Sequence, residues 1–263
     1  MQVSGSRVLI TGASRGIGEV TARVFAEAGA RVALVARSEE PLAKLAAELG
    51  GDAYPADLTD ATALASLFDR VESDGPVDVL VNNAGVAPAA RFVDTDAAAI
   101  DALFRLNLLA PAELCRQALA RMVPRSRGHV VNISSLAGVS AVPGLASYSA
   151  SKAGLSQLSA ALRAEVKGLG IGITLVELGP VVTDMLEGVH EYGPTARSFD
   201  RGARLGVLVD LDPNVVARTV VDAVRRDRRH VRLPRRAALL MMIGEAPRRL
   251  TELMLIGVDH HGD

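Results

Sequence analysis

Short, continuously apolar runs alternate with longer amphipathic stretches along almost the whole chain. A run such as Val8-Leu9-Ile10 has no polar face, so as a strand it must be covered on both sides. The stretches between carry apolar residues at helical spacing. Gly16–Ala28, for example, sets Val20, Val24 and Phe25 on one face and stops at Gly29. The pattern predicts strands at Val8–Thr11, Val32–Ala36, Asp52–Ala56, Val77–Val81, His129–Ser134, Ile171–Glu177 and His230–Leu233. Helices are predicted at Gly16–Ala28, from the second strand to Leu49, and at Asp60–Ser73, Ala97–Met122 and Ser147–Leu169. A last helix is capped by Asp212, has Pro213 in its first turn and ends near Arg226.

Strands buried on both faces and separated by helices specify an α/β class: a doubly wound, Rossmann-like parallel sheet of about seven strands. Such sheets bind ligands beyond the carboxyl ends of their strands. No linker, repeat or low-complexity segment intervenes, so residues 1–263 are expected to form a single domain.

Composition narrows the class of function. The formal net charge is −1, which gives no general field for nucleic acid. Cys115 is the only cysteine, so no intrachain disulfide can form, which suits a reducing compartment. The start of the chain lacks a signal-peptide pattern, and no stretch reaches the roughly 20 apolar residues of a membrane span. A cytoplasmic location and no metal site are the expectations.

Residues 11–18 read TGASRGIG and fall between the first predicted strand and helix. Gly12, Gly16 and Gly18 let backbone approach a pyrophosphate closely, and the helix N-terminus supplies aligned N–H groups. The alternative is a tight turn that holds no ligand. At the end of the second strand a carboxylate would bond a free ribose 2′-hydroxyl; Ala36 and Arg37 stand there instead. Arg37 and Arg15 could clamp a 2′-phosphate, which favours NADPH over NADH. Otherwise they are solvated surface arginines.

With these residues in view, the chain resembles the short-chain dehydrogenase/reductase family, in its single-domain form, as far as about Leu233. TGASRGIG is similar to that family's cofactor loop, Asn82-Asn83-Ala84-Gly85 to its NNAG motif, and Asn107 to its mid-helix asparagine. Asn132-Ile133-Ser134-Ser135 is similar to its serine motif, and Tyr148-Ser149-Ala150-Ser151-Lys152 to YxxxK. The chain has three tyrosines and three lysines, so YxxxK would arise by chance in about one such chain in thirty. Residues four apart share a helix face, which puts Lys152 one turn beyond Tyr148. A phenol titrates near ~10, and lowering that to ~7 takes about 4 kcal/mol. A buried Lys152 ammonium, with oxidised nicotinamide, could supply it.

The resemblance implies hydride transfer between NADP(H) and the carbonyl or secondary alcohol of a small, apolar molecule. It implies that Tyr148 protonates the alkoxide or deprotonates the alcohol. Ser135 then bonds the same oxygen, and Lys152 holds the ribose and tunes Tyr148. Asn107 positions a water that links Lys152 to solvent; the alternative is a buried asparagine satisfying a helix break. Cofactor contacts are implied for Gly12, Ser14, Arg15, Gly16, Ile17, Gly18, Arg37, Leu58, Asn83, Ala84, Gly85, Gly179 and Val181. Tyr148 and Lys152 also belong to that set. Asp57 would accept from the adenine amino group, or else cap a helix, and Thr183 would bond the carboxamide. A homo-oligomer, tetramer or dimer, is implied through the helices beginning near Ala97 and Ser147. The family pattern is broken at Glu177-Leu178-Gly179-Pro180, where Leu178 replaces a proline and Pro180 follows the glycine.

Residues 184–210 lie where the family places its substrate loop, with Met185, Leu186, Val189, Tyr192, Phe199 and Leu205. They form either a lid or ordinary core. Gly188, Gly193, Gly202 and Gly206 suggest mobility there. Arg225, Arg226, Arg228, Arg229, Arg232, Arg235 and Arg236 form a basic cluster. The extension 234–263 reads as two short amphipathic helices broken at Pro247. It would pack on the substrate side or on another subunit, in preference to a membrane surface. His260 and His261 read as an unstructured tail in preference to a metal site. Two rivals stand beside the reductase: an NAD-using isomerase or lyase of the extended family, and a non-catalytic dinucleotide sensor. Isomerases and lyases of that kind carry a separate substrate domain, and a sensor would have lost Tyr148 or Lys152.

Overall fold

Glycines and capping carboxylates close several of the junctions between strands and helices. In the computed structural model, which describes residues 1–206 and 208–234, β1 (Arg7–Thr11) leads into α1 (Gly16–Glu27). Gly12 and Gly16, with φ of 66° and 58°, turn the chain between them. β2 (Arg31–Ala36), α2 (Glu39–Leu49) and β3 (Asp52–Pro55) follow. Asp60 caps α3 (Ala61–Glu72) by accepting from the amides of Thr62 and Ala63. β4 (Val79–Asn82) is followed by α4 (Ala97–Phe104), α5 (Ala110–Met122) and β5 (Gly128–Ser135). α6 (Ala146–Glu165) and β6 (Ile171–Leu178) come next. Then come α7 (Asp184–His190), α8 (Gly193–Arg204), α9 (Pro213–Arg225) and β7 (His230–Leu233). Asp212 caps α9 through the amide of Asn214, as the sequence predicts.

All seven strands pair in parallel, in the order β3-β2-β1-β4-β5-β6-β7. The direction of winding reverses between β1 and β4, which opens a crevice at their carboxyl ends. Val8, Ile10, Val79 and Val131 face one layer, where Phe25 of α1 and Val220 of α9 pack. Leu9, Leu80 and Val130 face the other, against Phe68 of α3 and Leu114 of α5.

Three expectations need correction. The helix predicted over Ala97–Met122 is broken by a π-helical turn at Arg105–Leu109 that contains Asn107. The segment 184–204, expected as a loop, forms the helices α7 and α8. The arginines near the carboxyl end do not share one surface: Arg226 and Arg228 pair with Asp222, whereas Arg232 is buried on β7. Arg235, Arg236, the segment 237–263 with its Pro247 break, and His260 and His261 lie outside the described residues.

Candidate active site

The crevice holds a cavity of about 470 Å³. One end is walled by Gly12, Ser14, Arg15, Gly16 and Ile17, by Arg37 after β2, and by Asp57 and Leu58 after β3. Asn83, Ala84 and Gly85 line its middle, with Gly179, Val181 and Thr183 opposite. Ser135, Tyr148 and Lys152 stand at the inner wall. Two of the catalytic and cofactor residues named from the sequence do not line it. Gly18 is buried behind the loop, where a Cβ would lie 2.1 Å from the Gly12 carbonyl oxygen. Asn107 is fully buried beneath Gly85.

The register of the sheet explains why the reactive side chains meet. Ser135 ends β5 opposite Leu178 of β6; its hydroxyl donates to the Leu178 carbonyl (3.3 Å) and accepts from the Ala137 amide (3.1 Å). Tyr148 lies in the first turn of α6, and Lys152 one turn later on the same face. The ammonium is 5.8 Å from the tyrosine ring centroid and donates to the Ile133 carbonyl at 3.0 Å. Burial pulls the lysine down to about 8. Burial also pushes the Tyr148 phenol above its ordinary value, and its hydrogen bond with Ser135 acts the other way. The protein's own side chains therefore do not give the lowered phenol expected from a neighbouring ammonium, because desolvation of the anion outweighs what they return.

Asn107 explains the π-helical turn. Its Oδ1 accepts from the Val86 amide and its Nδ2 donates to the Val86 carbonyl, both at 2.9 Å. Nδ2 also lies 3.3 Å from the Ser151 hydroxyl. The extra residue in the turn swings this side chain under the loop after β4. A Cβ on Gly85 would come within 3.1 Å of Asn107 Oδ1, a tight contact, and 3.5 Å of Lys152 Nζ, so the loop packs closely on both.

At the other end, the Arg15 side chain is 77% exposed and lies 3.6 Å from the equally exposed Asp184, and Arg37 is exposed. Asp57 accepts from the amide and hydroxyl of Thr59 (2.9 and 2.8 Å), which holds its carboxyl below the usual range. The helix cap itself is Asp60, which corrects the capping alternative for Asp57. The Thr183 hydroxyl donates to the Val181 carbonyl at 3.1 Å.

The departure at Leu178 has a structural outcome. Unlike proline, leucine keeps its amide, and β6 runs through Leu178 in register with both Ser135 and Leu233. Gly179 then donates to the Leu233 carbonyl at 2.7 Å.

The mouth is apolar. Met185, Leu186 and Val189 of α7, Phe199 of α8 and Leu208 line it, together with Leu136, Val142 and Leu145. Tyr192 and Leu205 do not. Sequence reasoning missed the contribution of residues 136–145, although the gap between Ser135 and Tyr148 was its signal.

These features coincide with a known family. The family model described as short chain dehydrogenase matches residues 6–192. The chain belongs to the short-chain dehydrogenase/reductase family. It is 36% identical over 232 residues to "Probable oxidoreductase EphD" of Mycobacterium tuberculosis, covering 83% of this chain and 39% of that protein. The chain thus spans about two fifths of that relative's length. Among solved structures, a short-chain dehydrogenase from Sphingobium yanoikuyae in complex with NADPH matches with TM-score 0.79 and 28% identity over 98% of both chains. The bulky-bulky ketone specific alcohol dehydrogenase from Comamonas testosteroni matches with TM-score 0.78 and 28% identity, over 98% of this chain and 97% of that one. Among the described residues no helix is long and apolar enough to cross a membrane, and no cluster of three His, Cys, Asp or Glu side chains could hold a metal.

Proposed function

We propose that this short-chain dehydrogenase/reductase uses NADPH in preference to NADH and interconverts an apolar ketone and its secondary alcohol. The observation that carries the reading is one cavity with Ser135, Tyr148 and Lys152 at its wall and two exposed guanidiniums at its end. The groups present fit a phosphorylated dinucleotide. Glycine backbone and the α1 N-terminus would receive the pyrophosphate, and Arg15 and Arg37 the 2′-phosphate. The bound cofactor supplies the hydride. Tyr148 donates the proton to the developing alkoxide, and Ser135 orients that oxygen. Lys152, held by Ile133, receives the ribose hydroxyls and adds positive charge beside the phenol. Asn107 is fixed by Val86 and acts by placing Gly85 and Ser151 against Lys152 and Tyr148. An apolar mouth suits an apolar substrate.

Initial rates of NADPH oxidation at 340 nm with aliphatic, steroid-like and quinone carbonyls test this. We expect turnover of at least one class, with NADH much weaker. Saturable NADPH binding without turnover across the panel would instead make the chain a nucleotide sensor.

A further inference from the structure

Three separate segments converge on Gly144. Its carbonyl accepts from the Ala90 amide at 3.1 Å, which ties it to the loop after β4. Its α-carbon faces α8: a Cβ there would lie 2.5 Å from Thr195 Oγ1 and 2.6 Å from the Tyr192 ring. Its φ of +86° is a conformation that L side chains rarely adopt. Beside it, Thr195 Oγ1 donates to the Pro143 carbonyl at 2.6 Å, and Thr195 is fully buried. One turn further along α8, Phe199 lines the cavity and meets the His190 ring edge-on at 5.4 Å, which joins α8 to α7.

We propose that Thr195 and Gly144 form a latch that fixes α8 as the roof of the substrate end, and so sets which ketone sizes the enzyme accepts. The inference rests on the oxidoreductase reading above. Ordinary apolar packing would hold a roof loosely, because Val189 is the one apolar side chain of α7 and α8 that is buried, and Met185 remains 44% exposed. A buried hydroxyl-to-carbonyl bond beside a residue with no side chain gives one defined distance between α8 and the 136–145 loop. Phe199 on the roof and Val142 and Leu145 on the loop then set the width of the gap between them. Neither latch residue lines the cavity. They are positioning residues, and their loss should leave the cofactor untouched.

Thr195→Val keeps the volume and removes the donor. Hydrogen exchange over residues 193–204 should accelerate, and KM for a single-ring ketone should rise about fivefold, the effect of one lost hydrogen bond. The kcat for that ketone and the Kd for NADPH, read by cofactor fluorescence, should stay within about twofold. For a two-ring ketone KM should hold or fall, so the preference between the two substrates shifts. Thr195→Ser should restore the wild-type values. If Thr195→Val does not fold, Gly144→Ala should move the same readouts in the same direction. Unchanged exchange, or an equal loss for both ketones and for NADPH, would overturn the latch. A wild-type protein inert toward every ketone would count against the oxidoreductase reading, and the exchange comparison would then decide the latch alone.

Discussion

The Lys152 ammonium stands 5.8 Å from the centroid of the Tyr148 ring, on one face of one helix, with the lysine buried and the tyrosine half-buried at the cavity wall. Their helix begins only two residues before Tyr148, and the loop ahead of it carries Ser135 to the same point. Among the described residues Lys152 has no carboxylate partner, and a buried cation so placed disfavours the folded state; on the proposed reading, function is obtained against stability.

That conflict is measurable. Lys152 titrates at about 8 against an ordinary 10.5, so between these values the unfolded chain holds a proton the native protein sheds. Its cost is absent above 10.5, grows as pH falls and is complete below 8. Lys152→Met should therefore raise stability at pH 7 by about 1–2 kcal/mol, after allowing for the lost bond to Ile133. Activity should disappear. Thermal unfolding of both proteins checks it; a less stable variant would refute the electrostatic account.

On the proposed reading, Arg15 and Arg37 set the choice of cofactor. Charge-assisted hydrogen bonds are worth about 1.5–3 kcal/mol each. Arg37→Ala should raise KM for NADPH by about 10- to 100-fold and leave that for NADH nearly unchanged. Initial rates with the two cofactors decide it, and equal effects on both would remove Arg37 from the 2′-phosphate site.

His129 of β5 is buried among sheet residues, with Thr174 Oγ1 at 2.8 Å, and burial lowers it to about 4. Gly172 makes room: a Cβ there would lie 2.2 Å from the ring. The unfolded imidazole protonates at 6.5 and the folded one only at about 4, so this contribution is whole above 6.5 and is lost as pH falls toward 4. The loss is about 3 kcal/mol. Urea midpoints between pH 7 and 4.5 should fall in the wild type and fall less in His129→Leu.

Glu177 is fully buried on β6. Burial raises its carboxyl, but His230 at 2.9 Å and Arg232 at 2.6 Å outweigh that and hold it at about 2. Ser156 of α6 donates to the other oxygen at 2.9 Å. Arg232→Met should cost about 3–5 kcal/mol by stranding the carboxylate. Adding Glu177→Leu should recover part of that loss in denaturant unfolding; a further additive loss would contradict it.

The fold was legible because period and burial agree: strands covered on both faces read as predominantly apolar runs. What escaped were features set by contacts between distant segments. Nothing local in Leu106-Asn107-Leu108 marks a π-helical turn, which exists because Val86 claims the asparagine. Glu177 within an apolar strand was a visible anomaly, yet its partners on β7 and α6 are known only once the sheet order is. Leu178 read as a break in a family pattern and proved to extend a strand. Ser135, Tyr148 and Lys152 were readable because their spacing and their chemistry require each other.

The most direct measurement is a single turnover of the Tyr148→Phe enzyme with an accepted ketone, beside its NADPH Kd. The variant should bind NADPH within about twofold of wild type and transfer hydride about 10²–10⁴-fold more slowly, the range for a positioned acid. Transfer at the wild-type rate would contradict the account outright.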